Sequence, residues 1–246
     1  MKHSNALIML ALIAANMLAF FWGGYHTLTP ILYASGLALA SAVYIWAAMR
    51  METRDLTVLT ATSVALAFID EYAHTTAETF TYFDRMKPSP LTVFGWGLFI
   101  PAILTIAQLL HEKLPLKTLG SGTPKTAPAI ITIVLLIACA WTQGYLPVLS
   151  LTLAQVYALL GVASLYYTSR NPHGWNAWVM ATSLIISTLM ESIGAMEGMW
   201  TFRFNEPLPL FMVFTWALRT WTVLAASSLL GVDHRKGIGH VENVRI

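Results

Sequence analysis

Long hydrophobic runs, separated by short polar breaks, dominate the pattern of the chain. The runs lie at residues 6–23, 29–49, 56–82, 90–110, 126–143, 147–168, 175–201 and 208–231. At ~1.5 Å per residue, each run is long enough to cross the roughly 30 Å hydrocarbon layer of a bilayer as an α-helix. The pattern therefore predicts an all-α fold, a polytopic membrane bundle of about eight transmembrane helices.

The composition agrees with a membrane protein and excludes several other classes. Hydrophobic residues make up 57% of the 246 residues and charged residues only 11%, which is outside the usual range of soluble domains. The net charge of +2 is too small to indicate a nucleic-acid partner. Because Cys139 is the single cysteine, an intrachain disulfide is impossible. The bilayer is the partner that the composition predicts.

The two halves of the chain match each other without a gap when the numbering is shifted by 120. The shift pairs identical residues along both halves, including Tyr25 with Tyr145, Arg50 with Arg170, Glu71 with Glu191 and Trp96 with Trp216. We interpret this match as the duplication of a four-helix unit. Because an even number of helices returns the chain to the same side of the membrane, we expect two parallel four-helix repeats.

The polar segment 111–125 is the change of composition that separates the two halves. It divides the chain into a first repeat at residues 1–110, a cytoplasmic linker at 111–125, a second repeat at 126–231 and a cytoplasmic tail at 232–246.

The distribution of Lys and Arg predicts the orientation in the membrane. Ten of them fall on the side of the termini, namely Lys2, Arg50, Arg54, Lys113, Lys117, Lys125, Arg170, Arg235, Lys236 and Arg245. Three fall on the opposite side, namely Arg85, Lys87 and Arg203. We therefore expect a multi-pass protein of the cell (inner) membrane with both termini in the cytoplasm.

Ionisable residues lie inside the third predicted helix and the helix that matches it. At 100° per residue, Glu71, His74 and Glu78 share one stripe of helix 3, with Asp70 on its flank. Glu191 in helix 7 lies at the same depth as Glu71, roughly 22 Å from the cytoplasmic side. If helices 3 and 7 face each other, the two glutamates meet. Two carboxyl groups close together in a low dielectric cannot both ionise easily, so one should keep its proton and serve as a general acid.

Two other features of these helices leave alternatives open. Arg219 lies inside helix 8 at nearly the depth of Glu191, so it is the counter-ion of Glu191, a substrate-binding residue or a side chain that snorkels to the interface. Gly194 and Gly198 have the spacing that permits close packing of helices in lipid. They also form a bare groove opposite the polar stripe of helix 3, where a slender ligand would fit.

Aromatic residues cluster near the outer ends of the helices, namely Phe80, Tyr82, Trp96, Trp200, Phe202 and Trp216. An aromatic belt is expected at this level of a membrane protein without any ligand. The alternative is that these rings line a slot for a long apolar molecule.

The spacing Glu71-x-x-His74 is the one used in carboxylate-bridged di-iron bundles. Those sites need a second such element, and the matching segment has Gly194 in place of a histidine. The sequence also has no phosphate-binding glycine loop and no Cys/His zinc pattern. It therefore predicts no metal and no cofactor.

A composite motif of glutamate, glycines, aromatic residues and prolines occurs in the second half. It reads Glu191-x-x-Gly194-x-x-x-Gly198-x-Trp200-x-Phe202, followed by Pro207-x-Pro209 and Trp216. This motif resembles that of integral membrane carotenoid-biosynthesis proteins, especially the carotenoid hydratase group. In the first half, Ile69-Asp70-Glu71-Tyr72 is similar to the Glu-Glu-Tyr region of the heterodimeric-type lycopene cyclases. The resemblance implies a cofactor-independent enzyme that protonates a carbon–carbon double bond of a polyisoprenoid, then adds water or closes a ring.

We hypothesise that Glu71 or Glu191 is the acid, that the other glutamate stabilises the cation, and that His74 and Glu78 relay protons from the outer face. The expected substrate-binding residues are Asp70, Phe80, Tyr82, Trp96, Gly194, Gly198, Trp200, Trp216 and Arg219. The alternatives are a proton-coupled membrane transporter and a non-catalytic membrane subunit. The sequence does not decide between catalysis and transport, and it does not indicate an oligomeric partner.

Overall fold

A computed structural model describes residues 3–27, 31–114, 116, 126–142, 151–171, 173–203 and 210–234. These residues are mostly helical, so the fold is all-α, as the hydrophobic pattern predicts. The described α-helices are α1 (His3–Trp22), α2 (Ile31–Arg50), α3 (Thr53–Thr76), α4 (Pro90–Lys113), α5 (Ala127–Thr142), α6 (Leu151–Arg170), α7 (His173–Met196) and α8 (Leu210–Leu229).

Five of these helices, α1 to α4 and α7, are long and apolar enough to cross a membrane. Large apolar side chains such as Trp22, Leu39 and Leu189 are exposed on their surfaces, where lipid rather than water is the favourable environment. Helix α5 has only 16 residues, and α8 carries Arg219 together with buried threonines. The lengths of the five helices and their exposed apolar side chains are those of a membrane protein.

Helices α3, α4, α7 and α8 form the centre of the bundle. Helix α4 packs against α3 and α7, and α8 packs against the same two helices. Helices α3 and α7 are therefore diagonal in a central ring of four, and do not form the direct face-to-face pair that we expected. Side chains from all four helices point into the middle of this ring, where the candidate site lies.

The helix bounds repeat along the chain with the same offset as the sequence match. Helices α2 and α6 begin and end 120 residues apart, and so do α3 and α7. Helices α4 and α8 begin 120 residues apart. Equal bounds are what a duplication predicts, and the relation of the halves by a common axis stays a prediction.

A short antiparallel β-sheet joins the two halves at one end of the bundle, which we call the strand end. It pairs β1 (Phe80–Tyr82) with β2 (Trp200–Phe202), and Tyr82 lies opposite Trp200. The prediction that helices 3 and 7 continue to residues 82 and 201 is wrong, because α3 ends at Thr76 and α7 at Met196.

Both helices end in the same hydrogen-bonded motif. The N–H of Thr79 donates to the carbonyl of His74 over 3.1 Å, and the N–H of Met199 donates to the carbonyl of Gly194 over 2.8 Å. In each motif one residue is left-handed, Glu78 with φ 56° and Gly198 with φ 72°, as the Schellman motif requires. The chain turns back at this point, and the next three residues form the strand.

Several predictions fall on residues outside the described ranges. They concern residues 117–125 of the linker, residues 235–246 of the tail, and Pro207 and Pro209 of the motif. Six of the basic residues that predict the orientation also lie there: Lys2, Lys117, Lys125, Arg235, Lys236 and Arg245. The domain division and the cytoplasmic position of the termini therefore stay predictions.

Candidate functional site

Glu71 is buried near the strand end of α3, where a tyrosine from β1 contacts it. The Tyr82 hydroxyl donates a hydrogen bond of 2.5 Å to Oε2 of Glu71, and Glu71 is only 2% exposed. The Thr75 hydroxyl donates to the backbone carbonyl of Glu71 over 2.6 Å. Because Tyr82 belongs to β1, the turn after α3 is what brings the phenol over the carboxyl group.

Glu191 occupies the matching position on α7 and has a different partner. The indole Nε1 of Trp216, on α8, donates a hydrogen bond of 2.8 Å to Oε1 of Glu191. The Trp216 ring lies 5.0 Å from the Trp96 ring of α4. Glu71 and Glu191 are close enough to interact electrostatically. The structure thus brings the two glutamates into one region, each with one oxygen fixed by an aromatic donor.

Arg219 forms its ion pair with Asp70. Its Nη2 lies 2.6 Å from Oδ2 of Asp70, and both side chains are almost fully buried. The guanidinium also lies over the rings of Trp96 and Trp216, at 5.2 and 5.4 Å from their centroids. The direct partner of Arg219 is therefore Asp70, and Glu191 interacts with the guanidinium without an ion-pair contact. Helices α3 and α8 pack directly on each other, so Asp70 reaches the arginine.

His74 is fully buried among aromatic rings. Its imidazole stacks on Phe80 at 5.7 Å and on Phe211 at 6.1 Å. Its Nδ1 lies 3.0 Å from the hydroxyl of Thr79, which donates its own hydrogen to the His74 carbonyl over 3.0 Å. The hydroxyl therefore accepts a hydrogen from Nδ1, and Nε2 faces Asp70 Oδ1 at 3.9 Å. His74 thus lies beside the Asp70–Arg219 pair.

Glu78 lies apart from the other acidic residues, on the surface. Its side chain is 68% exposed, and its Oε1 is 3.5 Å from Nζ of Lys87. Because α3 ends before residue 78, the stripe predicted for Glu71, His74 and Glu78 does not extend to Glu78. Surface ion pairs of this kind contribute ~0–1 kcal/mol to stability.

The predicted glycine groove is occupied by a tryptophan. A Cβ added to Gly194 would lie 2.0 Å from the indole of Trp200. Gly194 therefore allows the Trp200 ring to lie directly against α7, and it does not face His74. Gly198 faces open space instead, with nothing within 4 Å of an added Cβ.

The aromatic residues of the predicted cluster point inwards. Each of the six is less than a tenth exposed: Phe80, Tyr82, Trp96, Trp200, Phe202 and Trp216. A belt at the membrane surface requires rings that face lipid and headgroups, so the belt interpretation is wrong for these residues. Their rings instead form edge-to-face and tilted contacts around the two glutamates.

A narrow cavity of about 30 Å³ lies beside Glu191, between α4 and α7. The residues around it are mostly apolar: Tyr33, Thr92, Gly95, Trp96, Phe99, Ile103, Ile186, Ser187, Met190, Trp200 and Trp216. A space of this size holds one or two water molecules. We call it the acid cavity, because the Glu191 carboxyl is the ionisable group in its wall.

A wider cavity of about 490 Å³ opens at the strand end, and we call it the vestibule. Its wall is made of Thr75, Phe80, Thr81, Tyr82, Phe83, Arg85, Met86, Lys87, Gly198 and Thr201. Tyr82 belongs to this wall and also donates to Glu71. The phenol therefore lies between the vestibule and the buried carboxyl.

The hydrogen bonds of Tyr82 and Trp216 are the contacts that reasoning from the sequence missed. Both residues were expected to contact a substrate, and the structure shows that each donates a hydrogen bond to a glutamate. Glu197 was missed as well: its carboxylate accepts from the N–H groups of Leu32 and Tyr33 at the start of α2, over 2.8 and 3.1 Å. A carboxylate at a helix start satisfies free N–H groups, and here the two belong to different halves.

Among the residues that the structure describes, no three His, Cys, Asp or Glu side chains are placed to hold a metal ion. No protein-family model matches the chain, and no curated protein or solved structure shows significant similarity to it. The case for a function therefore rests on the geometry of the site.

Proposed function

We propose that the protein is an integral membrane enzyme that protonates a carbon–carbon double bond of an apolar polyisoprenoid, with Glu191 as the acid. The supporting observation is the position of Glu191 in the wall of the acid cavity, which aromatic rings surround. Trp216 holds one of its oxygens, which fixes the carboxyl group in the cavity wall. The resemblance to carotenoid hydratases and lycopene cyclases suggests the same chemistry.

The proposed reaction begins with transfer of the Glu191 proton to one carbon of the double bond. A C–H bond forms, the π bond breaks, and the neighbouring carbon becomes a cation. The cation then takes a water molecule and loses a proton, which gives a tertiary alcohol. Alternatively, it is attacked by a second double bond and loses a proton from carbon, which gives a ring. In both cases the released proton balances the one that Glu191 supplied.

The rings around Glu191 suit a cationic intermediate. The faces of Trp and Tyr rings attract cations most strongly where water is excluded, and Trp96, Trp200 and Trp216 all contact the acid cavity. Asp70 neutralises Arg219 at 2.6 Å, so the nearby guanidinium adds little net positive charge. The small volume of the cavity limits the water that could trap the cation early.

The substrate is expected to reach Glu191 from the lipid through the gap between α4 and α7, which α2 covers. The acid cavity is too small for a polyisoprenoid chain, so these helices or the side chains of Met190 and Trp200 must move apart. Met190 is partly buried at the edge of the core, and methionine adapts its shape easily to a ligand.

The finer architecture belongs to the same proposal. We place all eight helices across the cell (inner) membrane as two parallel four-helix repeats, with both termini in the cytoplasm. The equal offset of the helix bounds and the excess of Lys and Arg on one side support this arrangement. The strand end then faces away from the cytoplasm.

The experiment that tests the function compares two Glu→Gln variants in cells that make isoprenoids. Organic extracts of the cells and of the purified protein are analysed by mass spectrometry. Glu191→Gln should reduce product by roughly 100-fold or more, because a positioned acid contributes about that much. Glu112→Gln, at an exposed position of α4, should leave product unchanged. Equal product from wild type and Glu191→Gln would refute the proposal.

Proton-coupled transport is the second candidate function. A further cavity of about 250 Å³ lies beside the end of α8, lined by Arg170 and His234 among others. The Asp70–Arg219 pair lies between this cavity and the vestibule, as a gated pathway would require. Uptake of a labelled solute by proteoliposomes, driven by a pH gradient and abolished in Asp70→Asn, would favour transport. A non-catalytic subunit predicts instead that Glu191→Gln lowers stability and that no small molecule copurifies.

A further inference from the structure

We infer that the vestibule is the proton-uptake route of this site, and that Tyr82 is the residue through which Glu71 exchanges its proton with water at the strand end. The inference deepens the proposed function and rests on it, since the charge on Glu71 acts on the neighbouring Glu191, the proposed acid. Its own observations are the vestibule and the Tyr82–Glu71 hydrogen bond.

The wall of the vestibule contains groups that retain water. Thr75, Thr81 and Thr201 contribute hydroxyls, and Arg85 and Lys87 contribute charges. Gly198 leaves open space where a side chain would stand. A cavity of about 490 Å³ with such a wall is large and polar enough to be hydrated. Tyr82 is the residue of this wall whose hydroxyl also contacts Glu71.

The proposed transfer has two parts, one proton from water to Tyr82 and one proton from Tyr82 to Glu71. A hydronium ion in the vestibule gives a proton to the Tyr82 oxygen while the phenol passes its own proton to Oε2 of Glu71. Water remains in the vestibule, the phenol is neutral again, and Glu71 becomes a carboxylic acid. The hydrogen bond from the Tyr82 hydroxyl to Oε2 of Glu71 is the path for the second of these transfers. Tyr82 acts here as a positioning and relay residue, because it does not contact the substrate.

Other charged groups face Glu71 from the surrounding helices. Asp70 on α3, Arg219 on α8 and Glu191 on α7 all interact with it electrostatically, and Tyr33 on α2 interacts more weakly. Asp70 and Arg219 form an ion pair, so their charges largely cancel. Glu191 is the carboxyl group on a different helix that interacts with the charge on Glu71. The route therefore links vestibule water to the proposed acid through the charge on Glu71.

The experiment follows the proton on Glu71 and does not need a substrate. Purified protein is transferred from H₂O to D₂O, and the infrared band that Glu71→Gln removes is followed in time. Tyr82→Phe should slow deuteration of this carboxyl at least about tenfold, because it lacks the relaying hydroxyl. Thr201→Trp should also slow it by filling the vestibule while the Tyr82–Glu71 bond stays intact. Tyr166→Phe, at the other end of the bundle, is the matched control. In this variant the Glu71 carboxyl should be deuterated at the wild-type rate.

Three results would overturn the inference. If the Glu71 carboxyl of Tyr82→Phe is deuterated at the wild-type rate, the phenol is not the relay. If that of Thr201→Trp is deuterated at the wild-type rate, the vestibule is not the source. A Glu71 band that responds neither to D₂O nor to pH rules out exchange altogether. If Tyr82→Phe fails to fold, Thr201→Trp still decides the source.

The same variants separate this inference from the proposed function. If exchange depends on Tyr82 but wild type forms no isoprenoid product, the proton route stands and the proposed function fails. If Tyr82→Phe exchanges the Glu71 proton at the wild-type rate while wild type forms product, the route fails and the proposed function stands.

Discussion

The two halves place a glutamate at the same position and then surround it differently. Glu71 binds the phenol of Tyr82 next to the wide polar vestibule, whereas Glu191 binds the indole of Trp216 next to the narrow acid cavity. One carboxyl is thus close to water and the other close to an apolar space. The two environments suit the two proposed roles, exchange of a proton with water at Glu71 and transfer of a proton to an apolar substrate at Glu191.

The cause of the difference is a pair of matched substitutions. The first half has His74 and Phe80 where the second has Gly194 and Trp200. In the first half the imidazole stacks on the smaller phenylalanine ring at 5.7 Å. In the second half the missing side chain gives its space to the larger indole, which lies against the backbone of α7. Each half fills the same region with a different pair, and the pairs are not interchangeable.

The largest expected effect comes from the charge pair that joins the halves. Arg219→Met leaves Asp70 buried without its partner, and breaking a buried ion pair costs about 3–5 kcal/mol. The free energy of unfolding, measured in detergent, should fall by that amount. Arg219→Met combined with Asp70→Asn should recover part of the loss. If the double variant is no more stable than the single one, the pair is not the stabilising contact.

The second prediction concerns the ends of α4 and α8, where the halves also differ. His234 follows α8, and Leu114 is at the matching position after α4. His234 Nε2 lies 2.9 Å from the Ser227 hydroxyl, and its carbonyl accepts from the side chain of Gln108. Burial lowers the pKa of His234 from its ordinary 6.5 to about 4. The neutral ring thus holds the segment after α8 against α8 itself, and the His234 carbonyl links that segment to Gln108 of α4.

This pKa shift makes stability depend on pH in a defined window. Because the folded pKa is the lower one, protons bind the unfolded chain more readily, and stability is full above about pH 6.5 and decreases towards pH 4. At 1.36 kcal/mol per unit, the loss reaches about 3 kcal/mol. Unfolding of wild type and His234→Gln should be compared across this range. If the free energy of unfolding of His234→Gln falls between pH 6.5 and pH 4 as steeply as that of wild type, His234 is not the group responsible.

The third prediction exchanges the matched pairs. Gly194→Ala places a methyl group inside the Trp200 ring, and overpacking of this kind costs about 2 kcal/mol. Adding Trp200→Phe should relieve the clash, because it restores the smaller ring that the first half uses. Unfolding measurements on the single and double variants give the coupling energy. Additive effects of the two substitutions would mean that Gly194 and Trp200 do not share space.

The smallest expected effect is at the turns that follow α3 and α7. Glu78 adopts φ 56° where the second half has Gly198. Glycine adopts this left-handed conformation without strain, so Glu78→Gly should raise stability by about 1 kcal/mol. The matched Gly198→Ala should lower it by a similar amount. If both substitutions raise the free energy of unfolding, or both lower it, the two turns are not equivalent.

The sequence predicts much of the helical framework but little of what orients the glutamates. Long apolar runs give the helices directly, and the offset of 120 pairs Glu71 with Glu191. The ends of α3 and α7 were missed, since Glu78 occupies a turn position that usually holds glycine and the aromatic residues after it continue the apolar run. Strands of three residues are too short to leave a periodic signal, and β1 and β2 lie in different halves of the sequence.

The partner of Arg219 was missed for a different reason. Depth along a helix can be calculated from residue number, and it places Arg219 level with Glu191. It does not show which helix is the neighbour, and the packing of α3 on α8 selects Asp70. The inward orientation of Trp96 and Trp216 depends on the same packing, so a belt and a binding site cannot be distinguished from the sequence.

The origin of one hydrogen atom tests the proposed chemistry most directly. Wild type and Glu191→Gln are supplied with an isoprenoid pool in D₂O, and the product is analysed by mass spectrometry. Proton transfer from Glu191 to carbon predicts one carbon-bound deuterium in the wild-type product, with product reduced roughly 100-fold or more in the variant. Product without carbon-bound deuterium, or equal product from Glu191→Gln, would contradict the mechanism.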